Sequence, residues 1–321
     1  MGNLVWSPFI DEIQQHSVSA NVQLGAIISA YAKAESVSNL IDKVGAPDFV
    51  IANWQLRTLQ NGASDLVLYD LLRDHGISLY VNNLLHAKLY VFSDRTVLCG
   101  SGNATGRGLG LTDNGNIEAG VFVDLDLDDE IALKKLRDGS TKIDDELYEK
   151  FKRAIADAGK QEEASEIEDI VLDGPEESPY LISHLPALKA PEDFIEFYFL
   201  AADEQTNRAS DRQRFINDIC QLDIPTGLLR EQLQPVMEEQ FTEQPFVRQI
   251  TEQIRNQESM RFGAVTDFIH QHCRDVPVPY RWEVKEATNT LYNWLCFFFD
   301  DLEWHTPGAR SQVIYSTLNQ S

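Results

Sequence analysis

The sequence predicts an α/β N-terminal domain followed by a mainly α-helical C-terminal domain. Three observations carry this. Strand-like and helix-like segments interleave up to about residue 125, the pattern of a layered α/β fold. An acidic stretch with Gly174, Pro175 and Pro179 then interrupts the chain over 161–179. Beyond about residue 180 the apolar residues fall at helical spacing. The 321 residues suit two domains better than one. A hydrophobic fraction of 43% supplies well-packed cores and argues against global disorder. We expect divisions at 1–125, 126–179 and 180–321, the middle one an acidic helical segment and linker.

Strand content marks 22–31, 48–54, 77–81, 88–92, 96–99 and 117–123. Residues 35–44 and 64–76 read as amphipathic helices, the second with Ser64 as N-cap and Gly76 as stop. EIALKKL and DELYEKFKRAIADA read as solvent-facing helix with apolar residues at helical spacing. In the C-terminal part, FIEFYFLAA, DRQRFINDIC, EQPFVRQITEQIRNQ, FGAVTDFIHQHC and ATNTLYNWLCFFFDDL all favour helix. Trp282, Trp294, Trp304, Tyr280 and Tyr292 are read as core packing of that domain rather than as stacking platforms for bases.

The net charge is −24, which excludes a generally basic nucleic-acid coat protein but allows a local basic cleft. Residues 124–178 hold 8 basic and 19 acidic groups, so nearly half the excess sits in that segment. A solvated linker accounts for the run better than a DNA mimic or a guard over a cleft. No stretch reaches the ~18 apolar residues of a membrane span, and MGNLVWSPFI lacks the pattern of a secretory signal. Cys99, Cys220, Cys273 and Cys296 form no CxxC pair, and we expect ordinary buried thiols in a cytoplasmic protein.

The informative segment is LLHAKLYVFSDRTVLCGSGNATGRGLG at 84–110, followed by NGNIEAG at 114–120. His86 and Lys88 are two apart in a β-rich sequence, so their side chains share one face. Ala87, Leu89 and Val91 then face the core. Ser101 and Asn103 follow the next strand, with Gly100 and Gly102 allowing close backbone approach. Glu118 comes with a further strand. Taken singly, His86 reads as a core histidine and Ser101–Asn103 as a turn. Together, the five polar groups converge at one sheet edge.

The string His86-x-Lys88, Gly100-Ser101-x-Asn103, Thr105 and Asn116-x-Glu118 resembles the HKD motif of the phospholipase D superfamily, most closely its single-motif, nuclease-type members. The resemblance spans roughly residues 20–125. It implies a mixed-sheet sandwich at 1–125, phosphodiesterase chemistry without cofactor or metal, and an α-helical target- or partner-binding domain at 180–321. One departure stands out: the family places an Asp five residues after the Lys, and this chain has Ser93 there, with Asp94 one step later.

The family mechanism needs a neutral imidazole as nucleophile and an imidazolium as acid. None of His16, His75, His184, His270, His272 and His305 begins a second HxK. The resemblance therefore implies a homodimer, with His86 of each chain facing the other across a two-fold axis. Lys88 and Asn103 hold phosphate oxygens, Ser101 belongs to the same catalytic set, and Glu118 orients the imidazole. Thr105 and Arg107 are substrate-binding candidates, although Arg107 reads equally well as a surface loop residue. With an ordinary histidine pKa of about 6.5, activity is expected to peak between mildly acidic and neutral pH. His270 and His272 make no metal pair, because i and i+2 do not face each other on a helix.

The expected substrate is nucleic acid, DNA over RNA, with restriction or antiphage defence as the setting the family suggests. A catalytically weak dimerisation and nucleic-acid-docking scaffold, regulated by the C-terminal domain, is the alternative. A lipid phosphodiesterase is disfavoured, since the sequence offers no membrane segment or basic amphipathic helix.

Overall fold

In the computed structural model, residues 4–158, 184–273, 281–307 and 311–318 are described. The chain divides into two compact units, Met1–Glu176 and Glu177–Ser321. In the first, the run LGAIIS forms β2 (Leu24–Ser29), buried along nearly its whole length. Such a run suits a central strand covered on both faces. The strand β1 (Leu4–Trp6) and helix α1 (Phe9–Ala20) precede it, and α2 (Ala34–Val44) leads to β3 (Phe49–Ala52). Helices α3 (Leu56–Gln60) and α4 (Val67–Asp74) lead to β4 (Ser78–Val81). These helical crossovers make β2, β3 and β4 parallel neighbours.

The next three strands are antiparallel: β5 (Lys88–Phe92), β6 (Thr96–Gly100) and, after the short α5 (Gly106–Leu109), β7 (Ala119–Asp124). A tight turn joins β5 to β6. Asp94 Oδ1 accepts from the Thr96 N–H at 3.0 Å, and Arg95 takes φ +71°. The helix α6 (Leu127–Asp138), the strand β8 (Thr141–Lys142) and α7 (Asp145–Ala158) complete the unit. The eight-stranded mixed sheet runs β1-β7-β6-β5-β2-β3-β4-β8.

Residues 127–158 are thus an integral layer of the first unit, which carries it past the boundary expected at 125. The acidic run has a local cause: Asp126 and Asp129 form a capping box at the start of α6, and acids in a first turn complement the helix dipole. Strand β8 pairs with β4, and Phe151 of α7 packs edge-on to buried Trp54 with ring centroids 5.3 Å apart. The expected linker at 161–179 lies outside the described residues.

Both sheet faces are covered, and the main core lies on the opposite face from the one expected. Tyr90 and Phe92, on the same face of β5 as Lys88, join Phe9, Ile27, Leu40, Leu72 and Leu98 in the large core. Leu89 and Val91 turn to a smaller cluster with Ile28, Ile51 and Leu85, closed by Leu133 and Leu136 of α6. Ala87 is exposed. Each large side chain so buried contributes about 1.5–3 kcal/mol. Ser64 does not cap α4. It is fully buried, where its hydroxyl accepts from the Ala32 N–H and donates to the Asn53 carbonyl, and the helix begins three residues later.

The second unit is mainly helical. Its helices are α8 (Pro191–Tyr198), α9 (Ala202–Asn207), α10 (Ala209–Gln221), α11 (Arg230–Thr242) and α12 (Pro245–Asn256). After β9 (Ser259–Arg261) come α13 (Phe262–His272) and α14 (Arg281–Phe298), then β10 (Leu302–His305) and β11 (Val313–Ser316). The three strands form a small antiparallel sheet, β10-β11-β9, that the sequence reading missed. Trp294 and Tyr292 are fully buried, as core packing requires, whereas Trp282 and Trp304 are exposed and Tyr280 lies outside the described residues. Trp294 donates Nε1–H to the Leu188 carbonyl at 2.9 Å. No disulfide joins the four cysteines, and Cys99 is exposed rather than buried.

Candidate active site

His86 lies in the segment just before β5, not in the strand, and its position is fixed from both sides. Leu85 plugs the smaller core beside Ile28 and Ile51. The Ala87 carbonyl accepts from the Ala30 N–H at 3.1 Å, and Asn53 Nδ2 donates to the Asn83 carbonyl at 3.0 Å. The exposed residue between these anchors is His86.

Lys88 opens β5 opposite Ser29. Its Nζ donates to the His86 carbonyl at 2.6 Å and lies 3.4 Å from both ring nitrogens. The shared face expected from the HxK spacing is therefore realised as direct contact. Burial lowers the Lys88 pKa, and the charge of Glu118 opposes that shift.

Ser101 and Glu118 meet where β6 ends and β7 begins. Glu118 is buried, with 7% exposure, and its Oε2 accepts from the Ser101 hydroxyl. Its Oε1 accepts from Asn116 Nδ2 at 3.0 Å. The Ala119 N–H donates to Ser101 Oγ at 3.2 Å, which fixes the hydroxyl further. The expectation that Glu118 orients His86 is not met within the chain. Both carboxylate oxygens serve Ser101 and Asn116, and the ring's contact is Lys88. Asn116 was part of the motif but not of the candidate set. Its position two residues before Glu118 was the available signal.

Asn103 follows Gly102, whose carbonyl accepts from the Tyr90 hydroxyl at 3.0 Å. Asn103 Oδ1 accepts from the Tyr31 N–H at 3.1 Å, which leaves the side-chain NH2 as its donor. The packing behind it is tight. A Cβ on Gly108 would sit 2.6 Å from the Asn103 nitrogen, so only glycine lets α5 approach this closely. Thr105 caps α5 by accepting from the Gly108 N–H at 3.2 Å. Arg107, on the same short helix, is exposed and donates Nε–H to the Asn114 carbonyl at 3.2 Å. Both Thr105 and Arg107 line a cleft beside Asn103, together with Tyr31 and Lys33, which the sequence reading did not single out. Their signal was position, since both follow the carboxyl end of β2, where parallel strands present ligand sites.

Asp94 belongs to another place. Lys88 and Ser93 stand at opposite ends of β5, roughly 16 Å apart at about 3.3 Å per residue. Asp94 braces the turn and lies 3.8 Å from His16 Nε2. The one-residue displacement thus serves a hairpin and leaves the His86 end of the sheet untouched. Among the described residues no three His, Cys, Asp or Glu side chains group as a metal site, and no helix is long and apolar enough to cross a membrane.

No protein-family model matches the chain, and no curated protein matches it significantly. Among solved structures, a phospholipase D family member, Nuc from Salmonella typhimurium, is similar at 15% identity and a TM-score of 0.34. The similarity covers 44% of this chain and 97% of Nuc.

Proposed function

We propose that the first unit is a metal-independent phosphodiesterase, a nuclease that completes its site by pairing with a second copy. The observation that carries this reading is the cluster at one sheet end: exposed His86 against Lys88, with Asn103 and the Ser101–Glu118 pair on the adjoining strand ends.

In this scheme a neutral His86 attacks phosphorus and forms an N–P bond as the P–O bond to the leaving group breaks. The imidazolium of the twin His86 gives its proton to the departing oxygen. The twin ring, now neutral, takes a proton from water as that water attacks the phosphohistidine, and the original His86 is released. Lys88 and the Asn103 NH2 hold the non-bridging oxygens. The two most exposed large apolar residues near the site support a second copy here: Leu84 (93% exposed) precedes His86 by two positions, and Ile117 (88% exposed) adjoins Glu118. DNA is the preferred substrate in this reading, and restriction or antiphage defence its setting.

A second reading is a dimeric nucleic-acid-docking scaffold with weak catalysis. It is favoured by the engagement of both Glu118 oxygens away from the imidazole. Incubation of plasmid and single-stranded DNA with the purified chain in EDTA separates the two. Cleavage that survives chelation and disappears in His86→Ala supports the nuclease; binding without turnover supports the scaffold.

A further inference from the structure

The cleft beside Asn103 has a volume of about 780 Å³. That is within the range of sites that enclose a small molecule or cofactor. Tyr31, Lys33, Asn39, Arg107 and Asn116 all contribute to its lining. Hydrogen bonds tie these walls to the candidate active site. The Tyr31 N–H donates to Asn103 Oδ1 at 3.1 Å, and the Lys33 N–H to the Ala104 carbonyl at 2.9 Å. The Asn116 N–H donates to the Arg107 carbonyl at 3.0 Å, while its side chain holds Glu118. A group seated in the cleft is therefore in fixed register with Asn103 and the Ser101–Glu118 pair.

The charge distribution points to what it takes. Residues 1–123 contain only seven cations, and Lys33, Lys88 and Arg107 are three of them. Elsewhere in this stretch Arg73 and Arg95 are ion-paired to carboxylates, while Lys43 and Arg57 donate to the side-chain carbonyls of Gln14 and Gln55. Among the described residues neither Lys33 nor Arg107 has a carboxylate partner, in a chain with 51 acids. The lining carboxylate Asp65 is occupied by the Ala34 N–H at the start of α2, and Glu35 is the other acid there. Two cations without an ion pair suit a phosphate. Tyr31 offers an aromatic face, and Asn39 and Asn116, each with one N–H given to Glu35 or Glu118, keep a second N–H and the side-chain oxygen for a base or sugar.

We propose that this cleft is the subsite for the nucleotide adjoining the scissile phosphodiester, with Lys33 and Arg107 binding its phosphate. The assignment rests on the phosphodiesterase reading for its placement, and it makes the substrate a nucleotide chain rather than an isolated diester.

The test is fluorescence anisotropy with a short labelled thymidine oligonucleotide carrying phosphorothioate linkages, titrated at several salt concentrations. Lys33→Gln and Arg107→Gln are each expected to weaken binding about tenfold and to lower the slope of log affinity against log salt by about one. Thymidine monophosphate is expected to compete better than inorganic phosphate. Unchanged affinity in both variants overturns the subsite, as does weaker binding with an unchanged slope in variants of native melting temperature. Equal competition by inorganic phosphate overturns the nucleotide assignment. Turnover of bis(p-nitrophenyl) phosphate in EDTA reports separately on the catalytic reading. Binding as expected without that turnover leaves the subsite standing and removes the enzyme.

Discussion

Lys88 Nζ lies 3.4 Å from both ring nitrogens of His86 and donates to the carbonyl of that same residue at 2.6 Å. One ammonium thus clamps the loop that carries His86 and, in the proposed mechanism, stands where a phosphate would approach that ring. Lys88→Met is expected to lower kcat by about 100- to 1,000-fold, the scale for losing a preorganised charge. Lys88→Arg is not expected to rescue, because a planar fork does not replace a compact ammonium. Steady-state kinetics on a model diester, beside thermal melts that hold fold constant, check both.

Ser101→Ala removes one of two side-chain donors from a buried carboxylate. Glu118 then keeps only Asn116, and the loss is expected to destabilise the first unit by about 1–3 kcal/mol. Glu118→Gln in the same background relieves the unpaired charge. A partial recovery of melting temperature is the outcome that identifies the carboxylate as the cause.

Gly108→Ala is expected to displace Asn103. The added Cβ would meet the Asn103 carbonyl oxygen at 2.4 Å and its nitrogen at 2.6 Å, both backbone atoms that cannot rotate away. Overpacking of this kind costs about 1–3 kcal/mol. Urea unfolding gives the stability change, and diester turnover should fall with it.

Much of this was legible in the sequence. The strands β2 to β7 announced themselves through β-branched and aromatic runs, and the HxK spacing placed Lys88 against His86. Helix α1 was hidden because only Phe9, Ile10 and Ile13 are buried in an otherwise polar stretch. The strands β9, β10 and β11 are three or four residues long, too short to show a period. Lys33 was invisible for another reason: its relation to Asn103 arises from a parallel bridge between Ala32 and Ala104, distant in sequence. The partners of Glu118 likewise depend on how two strand ends meet.

In the second unit Asp218 is buried and accepts the N–H groups of Ala187 at 2.7 Å and Leu188 at 2.8 Å. Burial pushes its carboxyl up to about 7, against the lowering effect of those bonds. The folded value exceeds the unfolded one of about 3.9. The Asp218 contribution to stability is therefore fully present below that value and is lost as pH rises through about 7, by at most about 1.4 kcal/mol per pH unit. Wild type minus Asp218→Asn, melted from about pH 4 to pH 8, is expected to show this decline. A difference independent of pH contradicts it.

Leu84→Glu and Ile117→Glu place charges on the two apolar side chains that bracket the site. If the second copy docks there, sedimentation should show the dimer dissociating at least about tenfold more readily, the effect of about 1.4 kcal/mol, with the fold intact by circular dichroism. Activity should become proportional to the remaining dimer. A variant that is active as a monomer contradicts the paired site.

The central claim is that His86 becomes covalently bonded to phosphorus. Acid- or alkali-quenched reactions with a labelled diester in EDTA, followed by peptide mapping, address it directly. The account predicts an alkali-stable, acid-labile phosphoramidate on His86 that forms and decays at the rate of turnover. Cleavage with no adduct, or an adduct on Ser101 or any other side chain, contradicts it.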